Sequence, residues 1–202
     1  MKTKRAQIRS KQALPVLRPA QPILDQRGKV IQPPGELLFY PLSLAAPVRR
    51  SSVAGLNQVL ADTLYLRDMF KKHHWQVSGA TFYQLHLLFD KFFEEQNELV
   101  DKLGERVQTL GGVAVAMPND VVEMTRIARP PRGREEVPVQ ISRLLEALAI
   151  VLAGSRKLAE IIHKNGDDGT DNLLTSDVIP TNEKQVWFLS EHLVDTPLVR
   201  AR

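Results

Sequence analysis

The stretch from Thr81 to Leu110, TFYQLHLLFDKFFEEQNELVDKLGERVQTL, repeats its large apolar residues at the spacing of an α-helix. Those residues are Phe82, Leu85, Phe89, Phe92, Phe93, Leu99, Leu103, Val107 and Leu110. Thr81 is a suitable N-cap, and Gly111-Gly112 is a typical helix end. The stretch predicts a long amphipathic helix whose apolar face must pack against other helices.

Three further helices are predicted around this one. The first begins at the N-cap residues Ser51-Ser52 and ends at Ser78-Gly79. The third follows Pro138 and ends near Asn165-Gly166, and the fourth covers about residues 168–194. Pro180 must kink or interrupt the fourth helix.

The connection between the second and third helices is long and rich in proline. We expect residues 113–137 to be irregular, with a short helix after Pro118. Two antiparallel helix pairs joined by one long crossover form the ferritin-like type of four-helix bundle. The predicted fold class is therefore all-α, a ferritin-like four-helix bundle.

The first 50 residues differ in composition from the rest of the chain. They hold ten Lys and Arg against two acids, a net charge of +8, and seven of the 13 prolines. Because the whole chain is +4, the other 152 residues are −4. We predict a flexible, basic, Pro-rich arm (1–50), a bundle (51–195) and a short tail (196–202).

Composition excludes several kinds of chemistry. The chain has no cysteine, so disulfides, thiolate metal sites and thiol redox reactions are excluded. We see no apolar run near the roughly 20 residues that span a membrane, and no secretory signal. A cytoplasmic protein without a membrane partner is the expectation.

Four residues of types that commonly bind metal ions lie on one face of the second helix: His86, Asp90, Asp101 and Glu105. Taking His86 as zero, the others fall at about 40°, 60° and 100° around the helix. Each i,i+4 pair could reach one ion. Asp90 and Asp101 are about 16 Å apart along the helix, however, so one chain cannot close both pairs around one ion.

Two copies of this helix, antiparallel about a two-fold axis near Gln96, would bring the pairs together and create two identical sites. The turn at Ser78-Gly79 would fold His74 back to the same place. Two imidazoles and three carboxylates suit iron(II), zinc or manganese. A half-open site of this kind suits oxygen or peroxide chemistry on iron, and zinc could substitute or inhibit.

These residues carry a family resemblance. His74 to Asp90 reads HWQVSGATFYQLHLLFD, and Asp101 to Arg106 reads DKLGER. The spacing His-x11-His-x3-Asp-x10-Asp-x3-Glu resembles the signature of the Dps family, the miniferritins named for DNA protection during starvation. The sequence from Asn182 to Leu193, NEKQVWFLSEHL, resembles the last helix of that family.

The resemblance implies a dodecameric shell that oxidises Fe(II), typically with hydrogen peroxide, and stores Fe(III) as a mineral. It implies a ferroxidase centre made of His74, His86 and Asp90 from one subunit with Asp101 and Glu105 from its mate. Trp75 would lie beside that centre and intercept radicals. Many members bind DNA without sequence preference, which would make the protein nucleoid-associated.

Other interpretations of these residues remain open. This face of the second helix could be merely exposed and acidic, and Trp75 could serve packing alone. Glu160 and His163 form the Glu-x-x-His motif of di-metal bundles, but a second such motif is missing, so we interpret both as bystanders. We interpret His73 as a surface residue.

The acids Asp167, Asp168 and Asp171 open the predicted fourth helix. They could cap that helix, or they could line an acidic iron-entry pore at a three-fold axis, where Dps proteins have aspartates. Which of the three would line the pore is open.

The arm has three interpretations: a solvated tail, a clamp on neighbouring subunits through Leu37 to Ala46, or a DNA-binding segment acting on phosphates. The candidate DNA contacts are Lys2, Lys4, Arg5, Arg9 and Lys11. A rival function is a nucleoid-compacting protein whose metal site is vestigial or structural. Another is a di-metal oxidase with its site inside one chain.

Overall fold

Helices form all the regular structure in residues 24–195, the part of the chain that a computed structural model describes. In chain order they are α1 (Ala46–Gln76), α2 (Phe82–Thr109), α3 (Pro118–Met124), α4 (Val137–Asn165), α5 (Asp168–Asn172) and α6 (Ile179–Glu191). A π-helical segment (Leu173–Val178) joins α5 to α6. The predicted all-α bundle and its short crossover helix after Pro118 are confirmed.

Proline marks the first turn of α1, where Pro47 needs no N–H partner. The helix begins at Ala46, just before this proline. The predicted start at Ser51-Ser52 is wrong. Ser52 is instead buried within α1, where its hydroxyl donates to Asp167 Oδ2 at 2.6 Å.

The turn between α1 and α2 depends on Gly79, whose φ of +92° is one that side-chain-bearing residues rarely adopt. It reverses the chain, so that α1 and α2 pack antiparallel. Phe70 of α1 meets Phe89 and Phe92 of α2 at ring-centroid distances of 6.4 and 5.5 Å. All three rings are fully buried, and they anchor one half of the core.

The second antiparallel pair, α4 with the helix from α5 to α6, packs on the first. Gly55 of α1 lies so close to Leu158 of α4 that any side chain there would collide. By length and composition α4 is apolar enough to cross a membrane, with a mean hydropathy of 1.5 over 18 residues. Leu144, Leu148 and Val151 are buried in the bundle, which identifies α4 as a core helix.

Pro180 lies in the first turn of α6, directly after the π-helical segment. The helix stays continuous through the wider turn, so the predicted interruption takes the form of a π-helix rather than a break. Asp167 caps α5 by accepting a hydrogen bond from the Thr170 backbone N–H.

The crossover is fastened to the middle of α1 by a buried carboxylate. Asp62 accepts hydrogen bonds from Thr125 Oγ1, the Arg126 backbone N–H and the Arg126 guanidinium, at 2.6 to 3.0 Å. These bonds fix where the irregular segment after α3 begins.

The segment before α1 belongs to the bundle. The Leu38 backbone N–H donates to Gly111 O at 2.8 Å, and Arg49 donates to the carbonyls of Leu38 and Leu110. The chain divides between Ile31 and Gln32, earlier than the predicted arm boundary at residue 50. The reason is that partly buried Leu37, together with Leu42 and Leu44, packs on the core.

A second buried carboxylate joins α2 to the start of α5. Asp167 is 1% exposed and pairs with Arg106 at 2.5 Å, while Ser52 and Thr170 donate to it. Burial raises the pKa of Asp167, but those hydrogen bonds and the charge of Arg106 outweigh it and hold the pKa below its ordinary value.

Replacing Asp167 with Asn should cost about 3 kcal/mol of unfolding free energy at pH 7, because Arg106 would lose its buried counter-ion. The wild-type carboxylate stabilises the fold above its ordinary pKa of about 3.9, and this stabilisation is lost as the pH falls through the lower folded-state pKa. The difference between the proteins should therefore shrink in acid. Urea unfolding at fixed protein concentration measures it.

Asp168→Asn is the matched control, because Asp168 is exposed. Equal losses in the two variants would contradict a special role for the buried pair.

Candidate metal centre

Two histidines hold each other in place where α1 and α2 meet. His74 Nδ1 lies 2.7 Å from His86 O, and His86 Nδ1 lies 2.9 Å from His74 O. Their rings stack with centroids 3.7 Å apart and 21° between the planes. The structure thus brings together two residues that the sequence pattern predicts to lie in one site.

This reciprocal bonding determines which ring nitrogens are free. A carbonyl oxygen only accepts hydrogen bonds, so each Nδ1 must carry the proton. In the neutral rings of His74 and His86, each Nε2 then keeps its lone pair. A backbone carbonyl behind a ligating histidine fixes ring orientation and tautomer, as is usual in metal sites.

Asp90, one turn along α2 from His86, is held by a neighbouring cation. Its Oδ1 lies 2.5 Å from Lys71 Nζ and 3.8 Å from His74 Nδ1. The hydrogen bond from Lys71 keeps the pKa of Asp90 below its ordinary value. Lys71 also stands over the Phe93 ring, 4.1 Å from its centroid. A metal ion that binds Oδ1 of Asp90 would compete with this ammonium group.

Asp101 and Glu105 lie farther along α2 and are exposed. Neither carboxylate bonds to another side chain of residues 24–195. Both border a groove of about 370 Å³ between α1, α2 and residues 114–116. Its other lining residues include Leu60, Leu64 and Val100, so acids and an apolar surface stand side by side there.

No three His, Asp or Glu side chains within the described part of one chain are gathered closely enough to hold a metal ion. His74 and His86 are together, Asp90 points to Lys71, and the acid pair lies elsewhere on α2. Gln96, near the predicted two-fold axis, turns its side chain inward to Asn182 and Gln185.

Trp75 is 71% exposed, next to His74. Packing within its own subunit therefore does not explain this tryptophan.

The Glu-x-x-His residues are on the outside of α4. Glu160 pairs with Lys164 and His163 with Asp171, and both are exposed. They do not face the bundle interior, where a di-metal site within one chain would require them.

Of the three predicted pore acids, Asp167 is enclosed in the ion pair with Arg106 and has no free surface. Asp168 is exposed, and Asp171 Oδ2 lies 3.1 Å from His163 Nδ1. The pore role of Asp168 and Asp171 stays a prediction. The candidate DNA contacts, Lys2, Lys4, Arg5, Arg9 and Lys11, lie outside the described residues.

His73 was expected at the surface, and that expectation is wrong. Its side chain is fully buried with Nδ1 3.2 Å from Gln140 Oε1, and burial lowers its pKa to about 4. The spacing from Met69 and Phe70 places it on the buried face of α1, a signal that was present in the sequence. Lys71 was also missed, although it stands one turn before His74 on the same face.

Comparison with known proteins agrees with the ferritin-like fold. The model of the ferritin-like domain matches residues 53–199. DpsC from Streptomyces coelicolor is 53% identical, with a TM-score of 0.84 over 85% of this chain and 100% of that one. An archaeal Dps homologue from Halobacterium salinarum is 27% identical, with a TM-score of 0.81 over 86% and 97% of the two chains.

A Synechococcus protein named nutrient stress-induced DNA-binding protein is 34% identical over 71% of this chain and 81% of its own. The matched family model, these similarities and the His-His-Asp-Asp-Glu spacing lead to one conclusion: the chain belongs to the Dps family of ferritin-like proteins.

Proposed function

We propose that this Dps-type miniferritin oxidises Fe(II) at centres shared between two antiparallel subunits, with peroxide or dioxygen as the electron acceptor. Fe(II) is the substrate, and Fe(III) would be kept as a mineral inside the assembled shell. The observation that carries the proposal is the stacked pair His74 and His86, in which the bonds at Nδ1 leave each Nε2 with its lone pair. Farther along the helix of His86, Asp101 and Glu105 are exposed and have no side-chain partner in residues 24–195.

The rigid helix explains why a partner is needed. Asp101 stands about 16 Å from Asp90 along α2, whereas metal–ligand bonds measure about 2 Å. An antiparallel α2 from a second copy would place its Asp101 and Glu105 opposite His86 and Asp90. The apolar groove beside these acids and the exposed Trp75 support burial of this surface in such a dimer.

Lys71 would act as a built-in competitor for the metal. Its ammonium group neutralises Asp90 in the absence of Fe(II), which avoids an uncompensated carboxylate at the site. When the ion binds, Lys71 would release Asp90 and could remain over the Phe93 ring, where a cation is also stabilised.

We further propose a homo-oligomeric shell, a dodecamer in the pattern of its family, located in the cytoplasm. Asp168 and Asp171, at the corner between α4 and α5, would line the iron-entry pore. Asp167 would support them from inside through its bonds to Arg106 and Thr170.

A second function, DNA binding, is favoured by a separate observation. The first 50 residues carry a net +8, and a relative 34% identical bears the name of a DNA-binding protein. Repeated arms on one shell would multiply a weak phosphate contact. In this role the iron site would protect the bound DNA.

A mixing experiment tests the shared centre. One variant is His86→Ala with Asp90→Ala, and the other is Asp101→Ala with Glu105→Ala. Each alone should lose fast Fe(II) oxidation, because each breaks every shared site. Shells assembled from both should recover up to about half of the sites in mixed dimers, because one intact set forms wherever the two variants pair. Stopped-flow absorbance of Fe(III) formation measures recovery.

Glu160→Ala with His163→Ala is the matched control, since it removes the same ligand types from the alternative motif. It should oxidise Fe(II) like the wild type. Mixed shells that stay inactive, or a control that loses activity, would contradict the shared site.

Replacing Lys71 with Met should tighten binding of Zn(II), a redox-inert probe, by about two- to fivefold, the equivalent of one partly exposed ion pair. Calorimetric titration of the assembled protein measures the affinity. Lys91→Met is the control, because Lys91 faces Glu95 at 4.0 Å, away from the predicted ligands. Unchanged or weaker Zn(II) binding to the Lys71 variant would show that Lys71 does not compete with the metal.

For DNA binding, the full-length chain with its arm cations replaced by Gln should shift duplex DNA less strongly than the wild type at low salt. The replaced residues are Lys2, Lys4, Arg5, Arg9 and Lys11. Because phosphate contacts release counterions, the salt dependence should also become shallower. A wild-type protein that never shifts DNA at low salt would end this proposal.

A further inference from the structure

A second basic surface lies on the crossover, far along the chain from the arm. Residues 124–134, MTRIARPPRGR, contain four arginines and no acid. This is unusual for the body of the protein, because residues 51–202 together carry a net charge of −4. The run is therefore a local concentration of positive charge within an otherwise acidic part of the chain, residues 51–202.

Only the first of these arginines is neutralised within the described part of the subunit. Arg126 pairs with the buried Asp62 at 2.6 Å. Arg129, Arg132 and Arg134 are exposed, and none of them forms an ion pair with another residue in 24–195. Three guanidinium groups within six residues therefore face solvent without a counter-ion from the described chain.

The backbone that carries them is held at several points. Ile127 and Pro130 are buried, and Arg132 O accepts a hydrogen bond from Gln76 Nε2 at 3.3 Å. At the far end, Gln140 Nε2 donates to Glu135 O at 2.6 Å. A partner would thus have to immobilise side chains but not the main chain, which lowers the entropy cost of binding.

The acids next to the run reduce its positive charge but do not cancel it. Arg143 donates to both carboxylate oxygens of Glu135, at 2.9 and 2.8 Å, so that acid is already compensated. Glu123, directly before the run, and Glu136, two residues after it, are exposed and are the acids nearest along the chain that could repel an anion.

Geometry and chemistry both fit a row of phosphates. Residues 128–131 lie outside regular structure, with Pro130-Pro131 between two of the arginines, and residues 132–133 form a bend. In an extended segment, residues three positions apart lie roughly 9 Å from each other, so Arg129 and Arg132 can meet different phosphates. The guanidinium fork binds phosphate oxygens in pairs, which an ammonium group cannot do. No base-reading helix is needed for a contact of this kind.

We propose that Arg129, Arg132 and Arg134 form a rigid binding surface for the phosphate backbone of DNA on the body of the subunit, separate from the arm. The inference rests on the proposed DNA-binding function and assigns a second part of the chain to it. In an assembled shell the surface is repeated, so each copy can be weak.

The main comparison of the test uses four full-length proteins and a random-sequence duplex over a series of NaCl concentrations, with polyglutamate as a competitor. They are the wild type, the arm variant described above, the crossover variant R129Q/R132Q/R134Q and the control K91Q/R156Q/K157Q. The control removes the same charge from other exposed positions of the body. Light scattering establishes that all four assemble equally.

The crossover variant should bind less tightly than the wild type and the control. In a plot of log affinity against log salt concentration, the slope of this variant should be shallower by about 0.9 for each phosphate that the arginines no longer neutralise. A combined arm and crossover variant should bind less than either alone. The triple Arg→Lys variant should retain most of the salt dependence, since it keeps the charge.

Three outcomes would overturn the assignment, and they are distinguishable. If the wild-type protein does not bind the duplex, both the proposed DNA-binding function and the proposed crossover surface are contradicted. If the crossover variant binds like the wild type while the arm variant does not bind, only the proposed crossover surface is contradicted. Equal weakening in crossover variant and control, or equal competition by polyglutamate, means that general charge or an acidic polypeptide is responsible.

Discussion

The α-helix is a rigid rod, and this constraint governs the candidate metal centre. Ligands at i and i+4 on α2 can share an ion, but Asp90 and Asp101 cannot, because about 16 Å of helix separates them. The short turn at Gly79 overcomes the same constraint for His74, since it returns α1 alongside α2. The two stacked imidazoles with their carbonyl partners are the direct result. No turn within one chain brings Asp101 and Glu105 back to His86 and Asp90. In the proposed function, a second copy of the chain places its own acid pair there.

Buried carboxylates hold the irregular parts of the chain to the helices. Asp62 fastens the crossover to α1, and Asp167 fastens the start of α5 to α1 and α2. Each is fully hydrogen-bonded and paired with an arginine, as burial of a charge requires. Asp62 thereby fixes the position of the arginine run in the crossover. Asp167 fixes the corner that carries the exposed Asp168.

Whether a charged side chain has a partner of opposite charge in its own subunit also distinguishes residues with a structural role from candidate binding residues. Asp167, Glu160 and His163 all have partners in their own subunit, which accounts for them without a ligand. Asp101 and Glu105 have none among the described residues, and neither do the three exposed arginines of the crossover. Most of the proposed contacts with ions or other molecules use these uncompensated groups, and Asp171, which His163 contacts, is an exception. Asp90 stands between these classes, because it is paired with Lys71, which competes with the metal ion in the proposed function.

The amino-acid sequence by itself determined the helical class, the long crossover and the spacing that places His86 and Asp90 on one face of α2. These features depend on periodicity and chain geometry, which are local. Tertiary structure alone decided that His73 meets Gln140, that Lys71 reaches Asp90 and that Asp167 is enclosed by Arg106 and Ser52. It also decided that the segment from Gln32 onward joins the bundle, through hydrogen bonds to the end of α2. Such contacts join residues distant in the chain, and no spacing pattern along a sequence encodes which side chains will meet.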